Sequence, residues 1–203
     1  MGLGEEVLEC EKISYTYLSY IFNNISYINM NISVIGGGSW GLALSKVLSD
    51  NGHNVLVYDV SEKTVHKIND LHICWQLDES IPKNIKATTN MQETIAFSDV
   101  LLFVVPTKVL RIAIESVKKH LKSKKIFINA AKGIEPETFL RVSEIFAEMV
   151  DPKYLEGFVS LSGPSHAEEV IKGLTTVVAA SSENEDHAKN VQALFHNDSY
   201  FRV

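Results

Sequence analysis

The feature that most constrains this chain is where its first β-branched stretch ends. Ile32-Ser33-Val34-Ile35 gives way at once to Gly36-Gly37-Gly38-Ser39-Trp40-Gly41, and a helical pattern follows. Strand, G-x-G-x-x-G and helix in that order open a nucleotide-binding βαβ unit. Gly36 allows the tight turn, Gly38 lets a pyrophosphate approach the backbone, and Gly41 brings helix and strand together. The free N–H groups and the helix dipole then favour a phosphate. A glycine-rich turn that holds no ligand is the alternative.

The rest of the chain alternates strand and helix. A helix is expected from Ser39 to about Asp50, with Leu42, Leu44, Val47 and Leu48 on one face and Asn51-Gly52 closing it. Strands are expected at Val55–Tyr58, Ile85–Thr88, Val100–Val105, Ile126–Ile128, Phe158–Leu161 and Thr175–Ala180. Helices are expected from Ser61 towards Asp70, after Pro106 (with Val109, Leu110, Ile112, Ala113 and Val117), and over Glu137–Met149, Ser165–Lys172 and Asn184–Phe195. Residues 71–84 read as a loop containing Pro82. Strands separated by helices imply a mostly parallel sheet, and Val100–Val105, with no polar residue, reads as buried on both faces. The fold class is α/β: a Rossmann-like, doubly wound, mostly parallel sheet with helices on both faces.

Further candidates lie at strand ends. Asp59 stands 18 positions past Gly41, near the spacing for a carboxylate on the ribose 2′-OH. A carboxylate there repels a 2′-phosphate, and no Arg or Lys adjoins it, so NAD is favoured over NADP. Turn capping is the other explanation of Asp59. Lys132 follows the strand at 126–128 and faces the crevice where ligands bind in such sheets, unless it is a surface lysine in a turn. Ser165 and Glu168 have capping-box spacing, which explains them structurally, while the same helix start can receive a polar ligand oxygen.

Charge narrows the partners. With 19 Lys and Arg against 25 Asp and Glu, the net charge is −6, which argues against a nucleic-acid binder working through a basic field. The lysines at 118, 119, 122, 124 and 125 read as a solvated helix end. No histidine spacing suggests a metal site. Cys10 and Cys74 lie far apart, which disfavours a disulfide scaffold or zinc cluster and fits a reducing cytoplasm. Residues 1–29 begin with an acidic stretch and continue through tyrosines, asparagines and serines, unlike a secretory signal or a membrane span. They are expected to be an extension outside the fold, with residues 30–203 forming the nucleotide-binding domain.

The run from Ile32 to Gly41, Asn51-Gly52-His53, Val104-Val105-Pro106, Ala131-Lys132-Gly133-Ile134-Glu135 and Leu161-Ser162-Gly163-Pro164-Ser165 together resemble bacterial NAD(P)-dependent glycerol-3-phosphate dehydrogenase. The resemblance implies interconversion of sn-glycerol 3-phosphate and dihydroxyacetone phosphate, feeding phospholipid synthesis. It implies cofactor contacts at Ser39, Trp40, Pro106, Lys132 and Ala167, beside Gly36, Gly38, Gly41 and Asp59, and substrate contacts at Lys132, Gly163 and Ser165.

The departures from the family pattern are specific. Gly37 stands where the family usually has Ala, a change expected to be harmless, and Asp59-Val60 stands where many members carry a basic residue suited to NADPH. The resemblance stops at Val203, before the family's helical second domain with its proton-accepting lysine and phosphate-gripping arginine. No catalytic residue is therefore expected in this chain, which should bind NAD(H) but turn over slowly. A homodimer is a possibility for the full-length form, and no membrane or nucleic-acid partner is expected. A related sugar-acid or 2-hydroxy-acid dehydrogenase domain and a non-catalytic NAD-binding module remain the alternatives.

Overall fold

The computed structural model describes residues 29–203. The expected extension therefore falls, apart from Asn29, outside the described residues. The chain begins with β1 (Asn31–Ile35), α1 (Ser39–Asp50), β2 (Asn54–Tyr58) and α2 (Glu62–His66). A π-turn over Lys67–Leu71 and a small hairpin of β3 (Ile73–Cys74) and β4 (Glu79–Ser80) lead to β5 (Lys86–Thr88). Then come α3 (Met91–Phe97), β6 (Val100–Phe103), α4 (Thr107–Lys118), β7 (Lys125–Asn129), α5 (Val142–Met149) and β8 (Leu155–Ser162). The last elements are α6 (Ala167–Val170), β9 (Thr176–Val177), β10 (Ala179–Ser181), α7 (Glu185–Phe195) and β11 (Phe201–Arg202).

Seven strands make one sheet in the order β10-β8-β7-β6-β1-β2-β5, parallel except for β10 against β8. The doubly wound reading holds. The strand order reverses between β1 and β6, and in such sheets the crevice beyond the carboxyl ends at that point is where ligands bind.

Alternation along the central strands divides the core. Ile32 and Val34 of β1, Val100 and Leu102 of β6, and Ile126 and Ile128 of β7 pack on one face with Leu42, Leu44 and Leu48 of α1 and Leu194 and Phe195 of α7. Leu101, Phe103 and Phe127 point the other way, towards Ile95 of α3, Leu110 and Ile114 of α4 and Ile145 and Phe146 of α5. Phe146 meets Phe103 edge-on at 4.9 Å between centroids, a geometry that adds to the burial of both rings.

α1 keeps its expected bounds, closed by Asn51 and a left-handed Gly52 (φ +88°). Several expectations need correction. The loop at 71–84 holds the β3–β4 hairpin, and α3, capped by Asn90, was not foreseen. In α4 Ile112 is exposed, and the buried stripe is Leu110, Ile114 and Val117. The expected strand 175–180 is two strands in two sheets. The helix expected from Glu137 starts only at Val142, because Phe139 adopts φ +60° and the preceding residues are drawn into a side-chain network. Lys125 is buried rather than solvated: its Nζ donates to the Ser98 carbonyl at 2.8 Å and to Asp99 at 2.7 Å.

Candidate functional site

The glycine-rich turn leaves β1 with Gly36 at φ +120°, a region L side chains rarely adopt, and its N–H donates to the Tyr58 carbonyl at 2.9 Å. A Cβ at Gly41 would run into the Gly36 carbonyl, so helix and strand meet there only because that atom is missing. Gly38, the N-cap of α1, is exposed, and the space its Cβ would take is open. The first helical bond runs from Leu42 N–H to the Gly38 carbonyl, which leaves the N–H groups of Ser39, Trp40 and Gly41 without helical acceptors. Open space at Gly38, uncommitted donors behind it and the positive end of a twelve-residue helix fit a dinucleotide pyrophosphate.

Asp59, just past β2, is half-buried with both oxygens engaged. Oδ2 accepts from Gly37 N–H at 3.0 Å and Oδ1 from Ser61 N–H at 2.9 Å. It thus caps the turn, and each oxygen keeps a further lone pair for a ribose hydroxyl. Gly37 leaves room for this carboxylate: a Cβ there would lie 2.9 Å from Asp59 Oδ2 and 3.1 Å from Thr64 Cγ2. Pro106 is exposed at the start of α4, one residue beyond Val105, which abuts Gly36.

Trp40 links this turn to a cavity of about 580 Å³ at the ends of β7 and β8, whose wall includes Asn129, Lys132, Arg141, Gly163 and Ser165. Its Nε1 donates to the Ala130 carbonyl at 3.0 Å. Lys132 Nζ stands 5.1 Å from the Trp40 ring centroid and donates to the Ser165 carbonyl. Lys132 is exposed, yet it lines the cavity and is tied to its wall through the Ser165 carbonyl. Gly163 has no room for a side chain, since its Cβ would press on the Val177 carbonyl and Val178 Cα at 2.9 Å.

The Ser165–Glu168 capping box does not form. α6 spans four residues with His166 as its N-cap, and the buried Ser165 hydroxyl donates to the Gly163 carbonyl at 3.3 Å. So short a helix offers no dipole-based anion site. Ala167 is buried on α6, which packs against α1. Trp40, Lys132, Gly163 and Ser165 thus line the cavity, Gly36, Gly38, Ser39, Gly41 and Asp59 make up the turn, and Pro106 and Ala167 are not among the cavity's lining residues.

Two arginines escaped the sequence reading. Arg111 of α4 forks onto Glu135 (2.7 and 3.0 Å) and onto Glu148 of α5 (3.0 and 3.2 Å), while Thr138 hydrogen-bonds Glu135. The Arg111 guanidinium, with help from Thr138, holds the Glu135 carboxyl below the usual carboxylate range, and Glu135 in turn raises Arg111. These bonds anchor the segment after Lys132. Arg141 lines the cavity from the start of α5 and is paired with Glu144 at 3.0 Å. No local spacing could have revealed Arg111, whose partners lie 24 and 37 positions away. Arg141 could have been noticed as the cation closing the block after Lys132.

Residues 31–188 match the family described as the NAD-dependent glycerol-3-phosphate dehydrogenase N-terminus. A glycerol-3-phosphate dehydrogenase (NAD(P)+) of Acholeplasma laidlawii is 48% identical over 174 residues, covering 86% of this chain and 52% of that protein. One from Phytoplasma australiense is 41% identical over 175 residues, covering 86% and 52%. The chain thus spans about half the length of the curated relatives it matches. The crystal structure of glycerol-3-phosphate dehydrogenase from Coxiella burnetii superposes with TM-score 0.78 at 25% identity, covering 86% of this chain and 53% of that one.

Proposed function

Because this chain belongs to the family of the NAD-dependent glycerol-3-phosphate dehydrogenase N-terminus, we propose that it binds NAD(H) and forms the cofactor half of an oxidoreductase interconverting sn-glycerol 3-phosphate and dihydroxyacetone phosphate. The observation that carries the reading is the continuity of the glycine turn with the cavity through Trp40, bonded to Ala130 and beneath Lys132. In this reading Gly36, Gly38, Ser39, Trp40 and Gly41 hold the pyrophosphate side of the cofactor. Asp59 takes the ribose and favours NAD over NADP, and Pro106 and Ala167 border the cofactor. Residues 30–203 are the cofactor domain. The setting is cytoplasmic, with a small phosphorylated substrate as partner and homodimerisation belonging to the full-length form.

When bound, NAD(H) would supply hydride-transfer chemistry for the interconversion of the alcohol at C2 and the carbonyl. Lys132, reaching over Trp40, orients the substrate oxygen and stabilises negative charge developing on it. Gly163, bare of a side chain, lets its backbone pack closely on Val177 and Val178 and so places the Gly163–Ser165 segment in the cavity wall beside the substrate. The proton on the substrate hydroxyl needs an acceptor, which we place in the part of the relatives that this chain does not span. General-base catalysis contributes about 10²–10⁴-fold, so turnover by these 203 residues should be slower by at least that factor.

The test is NADH binding followed by fluorescence, beside NADH oxidation with dihydroxyacetone phosphate. Binding with barely detectable oxidation is expected. Oxidation as fast as that of a full-length relative would refute the half-site account, and absence of NADH binding would refute the whole reading.

A further inference from the structure

We propose that Gly37 sets cofactor specificity: by lacking a side chain it lets the Asp59 carboxylate close onto the turn and stay there as a fixed charge against a 2′-phosphate. The inference rests on reading the turn as the dinucleotide site.

Unlike Gly36, Gly37 does not have a positive φ, so its backbone would accept alanine. What it provides is space. Its N–H donates to Asp59 Oδ2 at 3.0 Å, and a Cβ would sit 2.9 Å from that same oxygen and 3.2 Å from Asp59 Cβ. Thr64 Cγ2, at 3.1 Å, closes the other side, and Thr64 is itself buried and bonded through its N–H to Ser61. The movable atoms are those of the carboxylate, so a methyl group at 37 must turn Asp59 away and break the Gly37 bond.

With glycine, the carboxylate is held on both oxygens by backbone N–H groups, from Gly37 and Ser61, and cannot swing aside for a phosphate. Its neighbour Val60, 83% exposed, brings no compensating charge. Two lone pairs stay available to neutral ribose hydroxyls, while a 2′-phosphate meets a charge that does not move. The discrimination thus comes from how rigidly Asp59 is held as well as from its presence.

The experiment titrates the unaltered chain, Gly37→Ala, Asp59→Asn and the double variant with NADH and with NADPH, by calorimetry. The unaltered chain should prefer NADH, and Gly37→Ala should lower the NADH-to-NADPH affinity ratio by about tenfold, the scale of one charge-assisted hydrogen bond. In the Asp59→Asn background the same substitution should change the ratio less than twofold, because the two residues act through one bond. A ratio unchanged in Gly37→Ala while both cofactors bind overturns the proposal, as does an equal fall with and without Asp59. Absence of binding by the unaltered chain overturns the dinucleotide reading, and this proposal with it. Should Gly37→Ala fail to fold, the Gly37 amide resonance of the unaltered chain must move in Asp59→Asn, and that variant must lose the preference for NADH. A Gly37 amide indifferent to the substitution, or a preference that survives it, contradicts the proposal.

Discussion

At the glycine-rich turn the backbone itself makes the site, whereas at the cavity beyond β7 side chains from several elements assemble it. Gly36, Gly38 and Gly41 act through missing atoms and unused N–H groups, all within six consecutive positions. Around Lys132 the work is done by Arg111 from α4, Glu148 from α5, Trp40 from α1 and the Ser165 carbonyl, which sequence keeps far apart. A site built from backbone is rigid and local, and it is lost by adding one carbon atom. A site built from side chains is spread out and can loosen by degrees.

Substitutions can break that contrast. The largest effect is expected for Gly41→Ala, whose methyl meets the Gly36 carbonyl: a loss of about 3 kcal/mol in urea unfolding, with NADH binding abolished. A variant that keeps both would remove the argument for a backbone-built turn. Next, Arg111→Met strips Glu135 and Glu148 of their cation and should lower Tm and loosen the segment after Lys132. NADH affinity should stay within about twofold, because these sites share no partner. Equal loss of affinity there would show that the two regions are one.

Trp40→Phe sharpens the comparison, since Trp40 belongs to both regions. It removes the bond to Ala130, worth about 1 kcal/mol, and should weaken substrate-analogue binding more than NADH binding. The mildest effect should come from pH. Burial lowers the His53 pKa; its ring accepts from Met30 N–H at 3.3 Å and bonds the Leu194 backbone. The neutral form is therefore favoured in the folded state. Stability should be full above pH 6.5, the ordinary histidine value, and fall as pH drops from there towards the lower folded value. In His53→Gln that part of the pH dependence of unfolding should vanish.

The same contrast explains what could be read in advance. α1 was legible to the residue because a glycine N-cap, an apolar stripe and Asn51-Gly52 are all local signals. α3 was legible too and was passed over: Asn90 caps it, and Met91, Thr94 and Ile95 give its buried face. The delayed start of α5 was not legible, because a helix-compatible stretch is overruled by Phe139 in the left-handed region and by Thr138 bonding Glu135, which Arg111 holds from α4. Ser165–Glu168 had the right spacing for a capping box, yet the Ser165 hydroxyl turned to Gly163 and the helix shortened. Gly37 shows the limit most sharply, for its meaning depends on a carboxylate 22 positions away.

The most direct test is a calorimetric titration of the unaltered 203-residue chain with NADH, and in parallel with NADPH. The account predicts saturable one-to-one binding of NADH and weaker binding of NADPH. No binding of either, or tighter binding of NADPH, would contradict it.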